Sequence, residues 1–207
     1  SASNHNNEAG QYETDIYIYG KNNTAFAIGV PQLLKTDDYV GSLYLTETES
    51  NFNNDKAYSL YSTSINKNFT YEFDAKPEAV TQIYSNGTYA AVADLYNFII
   101  CETHGGIGEY AGIGLSIGKN GAIAIAHRSD YYYVLLNYTG DLSAQHRYRF
   151  TVKNNIPYLY VDGNLIASGI LPVSPITTLL TNNQVGAGVY SSYKGWANNF
   201  VLYSTAR

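Results

Sequence analysis

Apolar side chains recur at alternate positions along most of this chain, and no segment sustains a 3.6-residue period. Alternation of that kind predicts strands, here over residues 12–19, 25–30, 39–46, 57–62, 68–75, 82–85, 89–102, 112–118, 122–127, 132–138, 147–154, 156–161, 164–171, 184–190 and 198–203. At most a short helical turn fits near 31–36 or 175–180. The breaks carry turn chemistry: Asn120-Gly121, Asp162-Gly163, Asn154-Asn155 and Asn86-Gly87 supply residues that tolerate positive φ. So many short strands predict an all-β fold, an antiparallel jelly-roll-type β-sandwich with an N-terminal extension strand. Residues 1–20 read as a polar tail leading into that strand, and residues 21–207 as the sandwich domain.

Two segments carry a family resemblance. Phe69-Thr-Tyr-Glu-Phe-Asp-Ala-Lys-Pro77 resembles an early core strand of laminin-G-like or concanavalin A-like jelly rolls. His146 to Ile166, with its Leu-Tyr-Val-Asp-Gly run, resembles their central pair of hairpins. Together with 186–203 the resemblance spans roughly residues 68 to 203, and it implies a fold that hosts lectins, glucanases and adhesive modules.

Composition narrows the classes. Only 14% of residues are charged, while Tyr reaches 22 and Asn 21, so surface polarity comes from neutral groups. A net charge of −5 without a basic cluster excludes a nucleic-acid footprint. No apolar run approaches the roughly 20 residues of a transmembrane helix. The lone Cys101 cannot form an internal disulfide and reads as buried. Few carboxylates means few groups whose protonation drives acid unfolding. With the absence of Met, this points to a secreted or cell-surface protein. Four N-x-[ST] sequons, at Asn22, Asn68, Asn86 and Asn137, are candidate N-glycan sites, although an Asn-rich chain produces several by chance.

Candidate chemistry is sparse. Glu72, Asp74 and Glu78 are the nearest match to a glucanase carboxylate ladder, but Pro77 ends the strand before Glu78, and an exposed polar face is the expected reading. The glycine-rich run from His104 to Glu109 lacks the following helix that phosphate binding requires. Asp37, Asp38 and Asp130 are too scattered for calcium, so no metal and no cofactor is expected. Tyr131, Tyr132, Tyr133 and Trp196 are the candidates for stacking on a sugar, with His127, Arg128 and Asp130 as polar neighbours.

The stretch from Gly112 to Ala126 raises a different possibility. Strict alternation through a three-residue turn, 119–121, places Gly112, Gly114, Ser116 and Gly118 with Ala122, Ala124 and Ala126 on one almost flat face. Such a face admits either large rings from an opposing sheet or an incoming strand, an acceptor groove. The strand containing Ile16, Tyr17, Ile18 and Tyr19 is apolar or aromatic on both faces, as a donor strand would be. In composition the chain is similar to secreted archaeal thread-type filament subunits joined by donor strands. Two expectations follow, neither enzymatic. One is a structural subunit of an extracellular filament, its partners other copies of itself. The other is a laminin-G-like carbohydrate-binding or adhesive module, its partners glycans or cell surfaces.

Overall fold

The computed structural model describes residues 2–4, 16–20, 39–43, 51–52, 56–60, 68–91, 98–105, 112–128, 131–171, 182–185 and 193–207. Their strands are β1 (Ala2–Asn4), β2 (Ile16–Gly20), β3 (Tyr39–Leu43), β4 (Asn51–Phe52), β5 (Lys56–Leu60), β6 (Phe69–Pro77), β7 (Tyr89–Ala91) and β8 (Ile99–His104). They continue with β9 (Gly112–Gly118), β10 (Gly121–Arg128), β11 (Tyr131–Thr139), β12 (His146–Lys153), β13 (Ile156–Val161), β14 (Asn164–Ser168), β15 (Asn182–Val185) and β16 (Gly195–Tyr203). They form two antiparallel sheets: a nine-stranded one ordered β1-β2-β5-β15-β8-β9-β10-β11-β7, and a seven-stranded one ordered β14-β13-β12-β6-β16-β3 with β4 also on β16. The all-β sandwich expected from alternation is what forms. The expected strand at 25–30 and the possible helical turns lie outside the described residues.

Alternation places Phe69, Tyr71, Phe73 and Ala75 of β6 in the core, opposite Val152, Phe150 and Tyr148 of β12. Phe73 stacks on Tyr148 at 5.3 Å and on Phe200 at 5.4 Å. Each such ring, fully buried, contributes about 1.5–3 kcal/mol through apolar burial. Tyr71 also ties the sheets together, its hydroxyl donating to the Glu102 carbonyl at 3.2 Å and bonding the Thr103 hydroxyl at 2.7 Å. The run of β12, β13 and β14 matches the hairpin pair read from the sequence. Asn154 and Asn155 form one two-residue turn at φ 51° and 67°, and Asp162 and Gly163 the other at φ 49° and 81°.

Three expectations need correction. Residues 82–85 do not form a strand; they belong to a segment that crosses the outer face of the nine-stranded sheet. Residues 89–102 are not one strand, since β7 and β8 take places far apart in that sheet. The third concerns Gly112 to Ala126. The β9–β10 loop has two residues, with Gly118 opposite Gly121, so Ile117 faces Ala122, Leu115 faces Ala124 and Ile113 faces Ala126. The seven residues Gly112, Gly114, Ser116, Gly118, Ala122, Ala124 and Ala126 therefore do not share a face, because shortening a turn by one residue exchanges the faces of everything beyond it. Ala122, Ala124 and Ala126 point into the sandwich core with Tyr71 and Tyr148 of the other sheet. Ile123 and Ile125 point outward into a smaller cluster with Ile99, Tyr132 and Val134.

That outer cluster is closed by the chain itself. Ile83 and Tyr84 pack against it, and the segment carrying them is tied down at both ends. Lys119 N donates to the Ala79 carbonyl at 2.8 Å, and Asn120 exchanges two hydrogen bonds with the Thr81 backbone at 3.0 and 2.6 Å. At the far end Gly87 N donates to the Val134 carbonyl at 2.8 Å and Val134 N to the Thr88 carbonyl at 3.0 Å. A backbone does approach Gly118 closely, as its lack of a side chain predicts, but it is residues 79–81 of the same chain.

Candidate functional site

The exposed end of the nine-stranded sheet is built by β11 and its edge partner β7. Tyr133 pairs with Tyr89 and Tyr131 with Ala91, so Tyr89, Tyr131 and Tyr133 share one face. The Tyr89 ring lies edge-on to Tyr133 at 4.7 Å and to Tyr131 at 6.2 Å. Tyr133 packs against the main core, while Tyr89 is 47% and Tyr131 53% exposed. Two rings are thus offered to solvent and held by a third that is anchored. Rings held on a paired scaffold lose little conformational freedom when a flat apolar surface packs on them.

The sequence candidates divide around this edge. Tyr131 and Tyr133 are brought together as expected. Tyr132 is a correction: it is fully buried in the outer cluster, because on β11 it points opposite to its neighbours. Trp196 is not part of the site, lying on β16 of the other sheet opposite Lys76. His127 is buried with its ring 5.4 Å from Tyr132, so it does not reach the edge, and Asp130 lies outside the described residues. Tyr89 is the member that sequence reading missed. It sits 42 residues before Tyr131, and only the β7–β11 pairing connects them.

Glu72 and Asp74 do share a face, as their spacing predicts, on the outer side of the seven-stranded sheet. One guanidinium serves both: Arg147 Nη2 lies 3.5 Å from Glu72 and Nη1 3.4 Å from Asp74. Arg147 Nη1 also donates to the Asn199 carbonyl at 2.9 Å. That carbonyl is available because a bulge at Asn198–Asn199, with Asn199 at φ 56°, lets both Ala197 and Phe200 face the core. Glu78 is exposed beyond the strand end. The polar-face reading of these carboxylates thus matches the geometry. Among the described residues no group of three His, Cys, Asp or Glu side chains could hold a metal ion.

Cys101 is buried, and burial, with Glu102 beside it, pushes its thiol well above its ordinary range, so it stays protonated. Among the sequons Asn86 is exposed in the Ser85–Thr88 turn, Asn137 is partly buried within β11, and Asn68 accepts a hydrogen bond from Asn154 N at 2.8 Å. Asn22 lies outside the described residues. The backbone of Ile16, Tyr17 and Ile18 pairs on one side with β1, and that of Ile16, Tyr17, Ile18 and Tyr19 on the other with β5 of its own chain. The strand therefore has hydrogen-bonding partners without recourse to a second copy.

No protein-family profile matches this chain, and no curated protein sequence matches it. Solved structures do. Domain 4 of AbnA, an extracellular arabinanase from Geobacillus stearothermophilus in complex with arabinotriose, aligns over 97% of this chain and 86% of that one at 13% identity, TM-score 0.53. Botulinum neurotoxin type C, whose cell entry depends on interaction with two ganglioside molecules, aligns over 100% of this chain at 12% identity, TM-score 0.52. The chain spans 48% of that toxin chain. Trypanosoma rangeli sialidase aligns over 98% of this chain and 30% of its own at 13% identity, TM-score 0.52. At such identities the likeness establishes architecture: the chain is a jelly-roll β-sandwich.

Proposed function

We propose that this chain is a non-catalytic carbohydrate-binding module of a secreted protein, with Tyr89, Tyr131 and Tyr133 as its sugar-stacking edge. The observation that carries the reading is two tyrosine rings about half exposed on paired strands and braced by a third. Large apolar surface left open in this way marks an interaction site. Support comes from the structural neighbours, of which one binds arabinotriose and another gangliosides. No helix among the described residues is long and apolar enough to cross a membrane. The filament reading draws no comparable support, since β2 is already paired within its own sheet.

The test is a glycan array followed by calorimetric titration of the best neutral oligosaccharide, arabinotriose included, against wild type and Tyr131→Ala. The variant is expected to weaken binding about tenfold or more, the loss of roughly 1.4 kcal/mol of stacking. Unchanged affinity in Tyr131→Ala and in Tyr89→Ala would remove this edge from the site.

A further inference from the structure

The outer face of the seven-stranded sheet carries a second constellation, on the sheet that does not hold the tyrosine edge. Cross-strand register aligns Leu165, Tyr160, Arg149 and Glu72 in one row, with Arg147 and Asp74 in the next. Direct opposition of Arg149 and Glu72 predicts an ion pair between them. The pair does not form, because Glu72 is engaged by Arg147, which also holds Asp74 and the Asn199 carbonyl.

Arg149 instead lies over the Tyr160 ring at 3.9 Å. Its Nε is shut off from water without an acceptor, and the side chain makes no hydrogen bond or ion pair among the described residues. Arg149 as a whole is only partly buried. A guanidinium fixed against a ring, with the carboxylate opposite it held by a neighbour, is a preorganised cation with unused donors. The fork geometry of arginine matches the two oxygens of a carboxylate or sulfate. The half-exposed Leu165 and the partly buried Tyr160 beside it offer an apolar floor for a sugar ring.

We propose that this face is an acidic-glycan subsite, in which Arg149 binds a sugar carboxylate or sulfate while Tyr160 and Leu165 underlie the ring. It rests on the carbohydrate-binding reading but uses a different sheet and different residues. The experiment is calorimetric titration of the full chain with three versions of one oligosaccharide: neutral, carboxylated (uronic or sialic acid) and sulfated. Wild type, Arg149→Gln, Arg149→Lys and Tyr131→Ala are compared, with thermal unfolding to verify that each variant folds.

The acidic form is expected to bind wild type about tenfold or more tightly than the neutral form, with the advantage shrinking as salt is raised. Arg149→Gln is expected to abolish that advantage and Arg149→Lys to retain part of it, whereas Tyr131→Ala, which weakens the neutral form's binding and leaves Arg149 in place, is expected to widen it. Preference for the carboxylated or the sulfated version identifies the anion. Acidic and neutral forms binding alike, or an acidic advantage that survives Arg149→Gln, would overturn the proposal. If neutral binding meanwhile stays sensitive to Tyr131→Ala, the tyrosine-edge reading stands without it. An acidic advantage dependent on Arg149 with no effect of Tyr131→Ala on any ligand would keep this subsite and overturn the tyrosine edge. No binding of any version would overturn both.

Discussion

Gly118 and Gly163 show how differently two glycines constrain one fold. A methyl group on Gly118 would sit 2.8 Å from Thr81 N and 2.9 Å from the Ala79 carbonyl, both backbone atoms of the segment that covers the sheet. Gly163 has open space around it, and its only demand is the positive φ of 81°. Gly118→Ala is therefore expected to cost about 2–3 kcal/mol through overpacking. Gly163→Ala is expected to cost only about 1 kcal/mol of left-handed backbone strain. Urea titration of both variants checks the order, and equal losses would refute it. Tyr148 provides the opposite case. Its hydroxyl is buried without a partner, and burial holds it protonated far above the usual phenol range. Tyr148→Phe removes an unsatisfied polar atom and keeps the ring stacked on Phe73, so it is expected to be neutral or to stabilise by up to about 1 kcal/mol. A loss above that size in the same titration would show that the hydroxyl contributes.

At the scale of elements, hairpins were the most legible part of the chain. Asn154-Asn155 and Asp162-Gly163 announce two-residue turns, and β12 to β14 follow, with one irregularity in the β13–β14 pairing between Leu159 and Tyr160. Asn120-Gly121 announced a turn as well, but its length was not legible, since Gly121 reads equally as loop or first strand residue. One residue of ambiguity reversed the predicted faces of Ala122 to Ala126. The bulge at Asn198–Asn199 left only a pair of asparagines as a trace. Asp162 adds a charge to its turn. Its carboxylate accepts from Arg147 N at 2.9 Å and lies 2.6 Å from His146 Nδ1. The backbone N–H, then the His146 hydrogen bond, lower its ionisation range in the folded state. A lowered carboxylate contributes stability above its unfolded value of about 4 and loses it as pH falls through the folded value. Because the group is half exposed the effect is small. Asp162→Asn tolerates the positive φ and removes the charge. It is expected to be slightly less stable than wild type at pH 7, with the gap narrowing below about pH 4 as the Asp162 carboxyl of the folded wild type takes up its proton. Denaturation curves taken from pH 7 down to the acid limit of the fold decide, and a gap that does not narrow as pH falls below about 4 would place the effect elsewhere.

At the scale of the molecule, alternation alone carried the fold class, since it reports which side of each strand is buried. It could not report which strands are neighbours, and both candidate sites depend on that: Tyr89 joins Tyr131 through the β7–β11 edge, and Arg149 stands opposite a Glu72 that Arg147 engages. Nor could it reveal that residues 79–88 act as a cover, because an irregular segment that packs two adjacent residues, Ile83 and Tyr84, against the outer cluster has no period to detect. Asn120 is the fastener of that cover, through its two bonds to Thr81. Asn120→Ala removes both and leaves the Thr81 N–H and carbonyl without those partners, a loss of about 2 kcal/mol on the usual value of 1 per hydrogen bond. The loss is expected to fall locally, since the sandwich core of Phe73, Tyr148 and Phe200 lies on the other face of the sheet. Segment 79–88 should therefore exchange its amide hydrogens and yield to protease earlier than β6 or β12, by a sub-global opening. Mass-spectrometric hydrogen exchange of wild type and Asn120→Ala tests this directly. Uniform acceleration across both sheets would show the cover to be one cooperative unit with the core rather than a separately fastened layer.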